Sequence, residues 1–359
     1  MNEILITTSS FGTYDSTPVD RLKSAGFEVV MNPHGRKLTE DEISYLIQTH
    51  RPVGIIAGVE PITADILKTA SNLKVISRCG IGMDSVDTKA AADVDIIVTN
   101  TPDAPTIPVA ELTVGMMLSL LRRIHRSDSA IRSGQWHRPM GNLVFGKTVG
   151  IIGCGRIGSY LASLLYSFKC TILGYDAYKH SDWDIFSSSS SSNLYSCSGS
   201  NFSDCFASNF SGYSGSNHSG CSDSDICGSD RSYCYKPSDL ASLVSESDII
   251  TLHIPYSIEN HHFINSDKIK MMKKGACIIN AARGGLIDEE ALYDALKSGH
   301  LGGAALDSFE QEPYSGHLRE LDNVLLTGHI GSYATEGRII MENQSVDNLL
   351  KALRKHIAE

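Results

Sequence analysis

Clustered lysine and arginine are missing from this sequence: 31 basic residues stand against 41 acidic ones in 359, a formal net charge of -10. A chain that binds nucleic acid usually displays a basic face, so no nucleic-acid partner is expected. Long apolar runs are missing too, and none approaches the roughly 20 residues of a membrane span. The first residues read as a short strand, Glu3-Ile4-Leu5-Ile6, instead of a charged stretch followed by a long apolar one. Neither a membrane partner nor an export leader is therefore expected. CxxC pairs are absent as well. Cys79, Cys154, Cys170 and Cys277 lie in stretches of core or turn character, where a reduced thiol acts as a small hydrophobe, and the expected compartment is the cytoplasm.

One segment lacks aliphatic side chains. Between residues 187 and 234 the composition falls to Ser, Gly, Asn, Asp, Cys and aromatics, including an unbroken run from Ser187 to Ser192. Too little apolar surface is available there to offset the entropy of ordering, so the segment is expected to be a low-complexity, poorly ordered insertion. Its cysteines, Cys197, Cys205, Cys221, Cys227 and Cys234, match no zinc spacing, and no metal is expected.

The rest of the chain, 42% hydrophobic overall, can bury two cores of ordinary size. β-Branched runs alternate with helical periodicity. They predict strands at residues 4–7, 27–30, 54–57, 74–77 and 95–98. Thr101-Pro102-Asp103-Ala104-Pro105 then breaks the pattern ahead of a helix over 111–123. A second series follows, with strands at 148–152, 171–175, 248–253, 276–280, 303–306 and 324–326. Helices fit between these at 157–168, 237–244, 266–272 and 288–298. Alternation of this kind implies parallel pairing with crossover helices, and ligands beyond the carboxyl ends of the strands. A final helical stretch, 338–357, is expected to return to the first domain.

The strongest local motif is Gly153-Cys154-Gly155-Arg156-Ile157-Gly158, between an apolar strand and an apolar helix. The first glycine permits a tight turn, the second lets backbone approach a pyrophosphate, and the third allows helix to pack on strand. About twenty residues on, Asp176 ends the next strand, where a carboxylate accepts from ribose hydroxyls and repels a ribose phosphate. That predicts NAD in preference to NADP, with Lys179 and His180 near enough in sequence to temper the charge. A strand-end cap is the alternative reading of Asp176.

Three further motifs sit where strands of the second series end: Asn280-Ala281-Ala282-Arg283-Gly284-Gly285, then Asp307 through Phe309-Glu310-Gln311-Glu312-Pro313, then Gly328-His329-Ile330-Gly331-Ser332. Their order and spacing, together with the glycine loop, resemble the D-isomer-specific 2-hydroxyacid dehydrogenases, and within them the phosphoglycerate dehydrogenase-like branch. The chemistry asks for the same residue types. An arginine fork binds the carboxylate and carbonyl of a 2-oxo acid. A histidine titrating near neutrality exchanges the hydroxyl proton.

The resemblance implies an α/β fold of two doubly wound parallel-sheet domains, a flavodoxin-like substrate domain and a Rossmann cofactor domain, with a cleft between them. Residues 1–104 plus 332–359 would form the first and 105–331 the second, interrupted by the insertion at 187–234. It implies catalytic roles for Arg283, Glu312 and His329, with Glu312 orienting the histidine and Glu310 as a rival for that role. Cofactor contacts fall on Gly153, Gly155, Arg156, Ile157, Gly158, Asp176, His253, Pro255, Ala281 and Asp307. Substrate contacts fall on Arg78, Gly80, Ile81, Gly82, Arg283 and Ser332, while Asn100 and Thr101 touch substrate or form a hinge. A homodimer through the cofactor domain is implied, with residues 112–121 and 134–144 at the interface. Gly328 and Ser308 depart from the family's proline and aliphatic residue. Glu60 lies in a stretch where some phosphoglycerate enzymes carry a basic residue, which speaks against a phosphorylated substrate. The activity expected is hydride transfer between NAD and C2 of a small D-2-hydroxy or 2-oxo acid of phosphoglycerate, glycerate or hydroxypyruvate type. The alternative is an NAD-sensing, corepressor-like binding module.

Overall fold

The computed structural model describes residues 2–177 and 235–358. The predicted insertion, with its five cysteines, and Lys179 and His180 lie outside the described residues. The chain divides into two compact units, Met1–Val109 with Gly331–Glu359, and Ala110–Ile330.

In the first unit β1 (Glu3–Ile6), β2 (Glu28–Met31), β3 (Gly54–Ala57), β4 (Val75–Arg78) and β5 (Ile97–Thr99) form a parallel sheet in the order β2-β1-β3-β4-β5. This is the flavodoxin-like order, whose ligand crevice opens at the carboxyl ends of the strands. The crossovers are α1 (Thr17–Ser24), α2 (Glu40–His50), α3 (Ala64–Thr69) and α4 (Thr88–Asp93). Helix α2 starts where it does because Thr39 and Glu42 form a capping box, each side chain accepting the other's backbone N–H. Strand β5 begins later than the expected residue 95. The turn that ends α4 takes Asp95 into left-handed backbone, φ 57°, and ties the Ile96 amide to the Ala91 carbonyl.

Both faces of this sheet are buried. Ile43, Ile47, Ile55 and Ile76 lie in one cluster, while Ile4, Ile6, Ile56 and Val75 face Leu349 and Leu353 in the other. The latter two belong to α11 (Thr335–Ala358), numbering the helices that the structure describes in chain order. Its packing is tight: a Cβ added to Gly54 would stand 2.9 Å from Leu349, and Ser77 Oγ donates to the Ser345 carbonyl at 2.7 Å. Each such aliphatic side chain, fully buried, contributes about 1.5–3 kcal/mol.

The boundary at Val109 falls inside α5 (Thr106–Leu121), which is followed by α6 (Ile124–Arg132). The second unit then builds β6 (Thr148–Ile152), α7 (Arg156–Tyr166), β7 (Thr171–Tyr175), β8 (Tyr235–Pro237), α8 (Leu240–Glu246), β9 (Ile249–Leu252), α9 (Ser266–Met271), β10 (Cys277–Asn280), α10 (Glu289–Lys297), β11 (Gly303–Leu306) and β12 (Val324–Leu326). The strands are parallel in the order β12-β11-β10-β9-β6-β7-β8, so the chain reverses direction across the sheet between β6 and β9. A doubly wound sheet binds its ligand at such a reversal. The helix expected over 237–244 starts at Leu240 instead. Residues 235–237 pair with β7, and Asp239 caps the helix by accepting from the Ser242 amide at 2.9 Å.

Candidate active site

The glycine loop stands at that reversal point. Gly153 adopts φ 95°, and a Cβ there would lie 2.6–2.8 Å from the His253 carbonyl group and the Ile254 nitrogen. Only glycine allows the β6 and β9 loops to approach so closely. A Cβ on Gly158 would overlap the Gly153 carbonyl, so α7 packs directly on the turn. Gly155, the N-cap of α7, has open space where its Cβ would be. Together these leave a bare helix N-terminus, flanked by Arg156 and Ile157, of the shape and polarity that hold a pyrophosphate. The residues fit a dinucleotide.

Asp176 follows β7 and accepts from the Cys154 amide at 2.8 Å. Its place in the structure is thus the floor of the glycine loop. His253 follows β9 half-buried, with Nε2 2.9 Å from Thr251 Oγ1. Burial pushes its imidazole down to about 4, so the ring is neutral near pH 7. Pro255 is exposed two residues on, and Ala281 is buried at the end of β10.

Three loops at the carboxyl ends of β10, β11 and β12 carry the predicted catalytic side chains. Asn280 shapes the first: its Oδ1 accepts from the Ala282 amide at 3.0 Å and its Nδ2 donates to the Arg283 carbonyl at 2.7 Å. Arg283 Nη1 donates to the Ala282 carbonyl at 2.9 Å, folding the side chain back along this turn. After β11, Asp307 is 1% exposed, and its Oδ1 accepts both Thr327 Oγ1 at 2.6 Å and the Ile330 amide at 2.8 Å. Asp307 therefore fixes the turn on which His329 sits with φ 55°. Ser308 is buried with its Oγ unpartnered.

His329 and Glu312 meet in this arrangement. Nδ1 donates to the carboxylate at 2.9 Å to Oε2 and 3.0 Å to Oε1. Burial by itself pushes Glu312 up and is its largest single influence. The hydrogen bond and charge of His329, the Phe309 amide and the charge of Arg283 outweigh it and hold the carboxyl below its ordinary range. An ionised carboxylate only accepts hydrogen bonds, so the proton on the ring faces Glu312 from Nδ1. That leaves Nε2 as the ring nitrogen not engaged by Glu312. Glu310, the rival for this role, turns away to His262, its Oε1 2.6 Å from Nε2.

In the first unit Arg78 ends β4, 7% exposed, and donates to the Cys79 carbonyl. Gly80 follows at φ 149°, where a Cβ would come within 2.6 Å of Arg78 Nη1. The loop is held by Thr101, whose Oγ1 accepts from the Gly80 amide at 2.8 Å, and by Asn100, whose Nδ2 donates to the Ile81 carbonyl at 2.8 Å. Gly82 and Ser332, also in this unit, are half-buried. At the end of β3, Glu60 is 1% exposed; its carboxylate accepts from Thr7 Oγ1 and, at 3.0 Å, from the Gly58 amide.

Sequence reasoning did not single out Asn280, Thr327, Glu289 or His262 as parts of the site. Only Asn280 had a signal, its place between a predicted strand and Arg283. The others act through tertiary contacts that no local pattern encodes.

The family model for the D-isomer-specific 2-hydroxyacid dehydrogenase NAD-binding domain matches residues 114–195 and 219–331. The chain is 36% identical over 303 residues to a glyoxylate reductase of Thermofilum pendens, covering 82% of this chain and 76% of that one. It is 32% identical over 345 residues to a hydroxypyruvate reductase of Thermotoga maritima, covering 93% and 96%. A D-3-phosphoglycerate dehydrogenase of Methanocaldococcus jannaschii is 35% identical over 90% of this chain, which spans only 53% of that longer protein. Among solved structures, a protein of Thermus thermophilus superposes with a TM-score of 0.77 at 30% identity, covering 98% and 97% of the two chains. The D-lactate dehydrogenase of Escherichia coli superposes with a TM-score of 0.73 at 26% identity, covering 99% and 98%. With its NAD-binding domain matched and its likeness to these relatives running through both units, the chain belongs to the D-isomer-specific 2-hydroxyacid dehydrogenases, a family of NAD-dependent oxidoreductases.

Proposed function

We infer that the chain transfers a hydride between NAD and C2 of a small, unphosphorylated D-2-hydroxy acid and its 2-oxo counterpart, of the glyoxylate or hydroxypyruvate type. The observation that carries this reading is the contact of His329 Nδ1 with the Glu312 carboxylate at 2.9 Å, in the unit that also holds the glycine loop. Bound NAD supplies the carbon that gives or takes the hydride. In reduction His329 donates its Nε2 proton to the carbonyl oxygen as the hydride reaches C2, and in oxidation it takes the hydroxyl proton back. Glu312 stabilises the protonated ring and fixes its orientation. Arg283 holds the carboxylate and favours the negative charge that develops on the oxygen. Asp307 holds the histidine turn and offers a carboxylate toward the nicotinamide amide. The Arg78 to Gly82 loop and Ser332 supply further substrate contacts.

Glu60 supports the choice of an unphosphorylated acid. Its buried carboxylate stands at the carboxyl end of the β3 strand, where sheets of this order take ligands. A phosphoryl group with about two negative charges would be repelled there. No observation favours the binding-module alternative. We also propose a homodimer through residues 112–121 and the arm 134–144, in which Trp136 is 82% and Met140 89% exposed. Exposed apolar side chains of this size support that reading when they form one patch, and sedimentation of wild type beside Met140→Asp checks it.

The test of the activity is NADH oxidation against glyoxylate, hydroxypyruvate and phosphohydroxypyruvate, with His329→Ala as control. Turnover of the first two that is lost in the variant is expected. Equal turnover in the variant, or preference for the phosphorylated acid, would overturn the corresponding part of the reading.

A further inference from the structure

His262 lies outside the proposed chemistry yet touches both loops that carry it. Its backbone N–H donates to the Gly285 carbonyl at 2.8 Å, two residues beyond Arg283. Its ring Nε2 meets Glu310 Oε1 at 2.6 Å, two residues before Glu312. The neighbouring bridge between Ile264 and Ile287 extends the first attachment into a short parallel pairing. The ring is held from the other side by His261, stacked on it at 3.8 Å, and His261 in turn lies 3.3 Å from Tyr256 Oη. The Glu310 end is fixed as well, since its amide donates to Glu289 Oε1 at 2.8 Å at the start of the α10 helix. Between these anchors Gly284 lies directly against the Phe309–Glu310 peptide.

We propose that His262 and Glu310 form a positioning strut that sets the distance between Arg283 and Glu312. The consequence is mechanical. Arg283 and Glu312 stand on loops that leave the paired strands β10 and β11; that pairing stops at Asn280 and Asp307, so beyond it their separation depends on what ties the loops together. A charge-assisted imidazole–carboxylate bond is roughly twice as strong as a neutral hydrogen bond. Its members are only about one-third exposed, at 34% and 37%, so solvent screens it in part. Neither side chain needs to touch substrate or cofactor for its loss to disturb both groups that do.

The kinetic arm of the test rests on the hydride-transfer reading above, while the exchange arm does not. His262→Ala and His262→Gln both place an ordinary side chain at a residue with φ 50°, so the backbone penalty is common to them. Only Gln restores a donor to Glu310. Amide hydrogen exchange of the NADH-saturated enzyme is expected to speed at Phe309 and Glu310 by about ten-fold or more in His262→Ala. In His262→Gln it should stay close to wild type. In steady-state assays with glyoxylate, His262→Ala and Glu310→Ala should each lower kcat about 10- to 100-fold, the range for misplacing reacting groups by about 1 Å. The NADH dissociation constant should stay within about two-fold, and the double variant should be no worse than either single one. Unchanged exchange at Phe309 and Glu310 overturns the strut whatever the activity. So does a lowered Tm with kcat per folded enzyme intact, which is the mark of a stabilising contact alone. If wild type oxidises no NADH with any 2-oxo acid, the functional reading fails and the exchange result still decides the strut.

Discussion

Replacing Gly284 by alanine adds one methyl group at the point where the two catalytic loops cross. A Cβ built on Gly284 would lie 1.8 Å from the Phe309 carbonyl carbon, 2.1 Å from its oxygen and 2.3 Å from the Glu310 nitrogen, whereas real Cβ atoms essentially never come closer than 3.0 Å. All three obstacles are backbone, so no side-chain rotation relieves the overlap. The loops must separate by about 1.2 Å at least. Overpacking of this kind costs about 1–3 kcal/mol of stability. The larger effect falls on geometry, because Arg283 is adjacent to the added methyl and Glu312 is held through its bond from the Phe309 amide, at 3.2 Å. A displacement of about 1 Å in catalytic groups costs on the order of 100-fold in rate. Gly284→Ala should therefore lower kcat for the 2-oxo acid about 100-fold, with NADH affinity nearly unchanged because the glycine loop at Gly153 lies elsewhere on the sheet. Steady-state kinetics beside a fluorescence titration of NADH measure the two separately. Wild-type kcat in a folded Gly284→Ala enzyme would refute the close crossing of the loops.

Two further outcomes follow from the same geometry. Asp176→Ser removes both the charge expected to repel a ribose phosphate and the acceptor for the Cys154 amide at 2.8 Å. The dissociation constant for NADH should rise and that for NADPH fall, which parallel titrations read directly. Glu312 is held below its ordinary pKa of 4.5 in the folded chain, so its contribution to stability is fully present above that value and is lost as pH falls through the lower folded one. The difference in Tm between wild type and Glu312→Gln should be constant from neutral pH down to about 5 and shrink below it; a difference that grows toward acid would show the sign to be wrong.

Much of this architecture was legible because its signals are local. The glycines at 153, 155 and 158 announce a strand, a turn and a helix through steric needs that each residue states by itself, and the structure shows the turn and the close packing at Gly153 and Gly158. The parallel sheets could be read for the same reason, since buried strands such as β3 and β11 are continuous apolar runs. Element ends were less legible. Asp95 reads as the start of a strand until the left-handed turn ending α4 claims it, and Pro237 reads as a helix start although it ends a strand. The pairing of His329 with Glu312 in preference to Glu310 was implied only by the family resemblance, because both carboxylates precede the same proline within three residues and both have the right chemistry.

What separates the two glutamates is the ring each one meets. Glu310 is engaged by His262 at 2.6 Å, and its amide is held by Glu289, whose carboxyl burial pushes above its ordinary range. With Glu310 committed on that side, the loop presents Glu312 on the other, toward His329. A carboxylate that had both histidines within reach would have to divide its bonds between them. The site instead assigns one carboxylate to each ring, so that in the proposed chemistry the pair made by Glu310 fixes the loop while the pair made by Glu312 exchanges a proton. The sequence motif Phe309-Glu310-Gln311-Glu312-Pro313 is thus two functions laid on one turn, and its two acidic residues are not interchangeable although they are alike in charge, spacing and exposure.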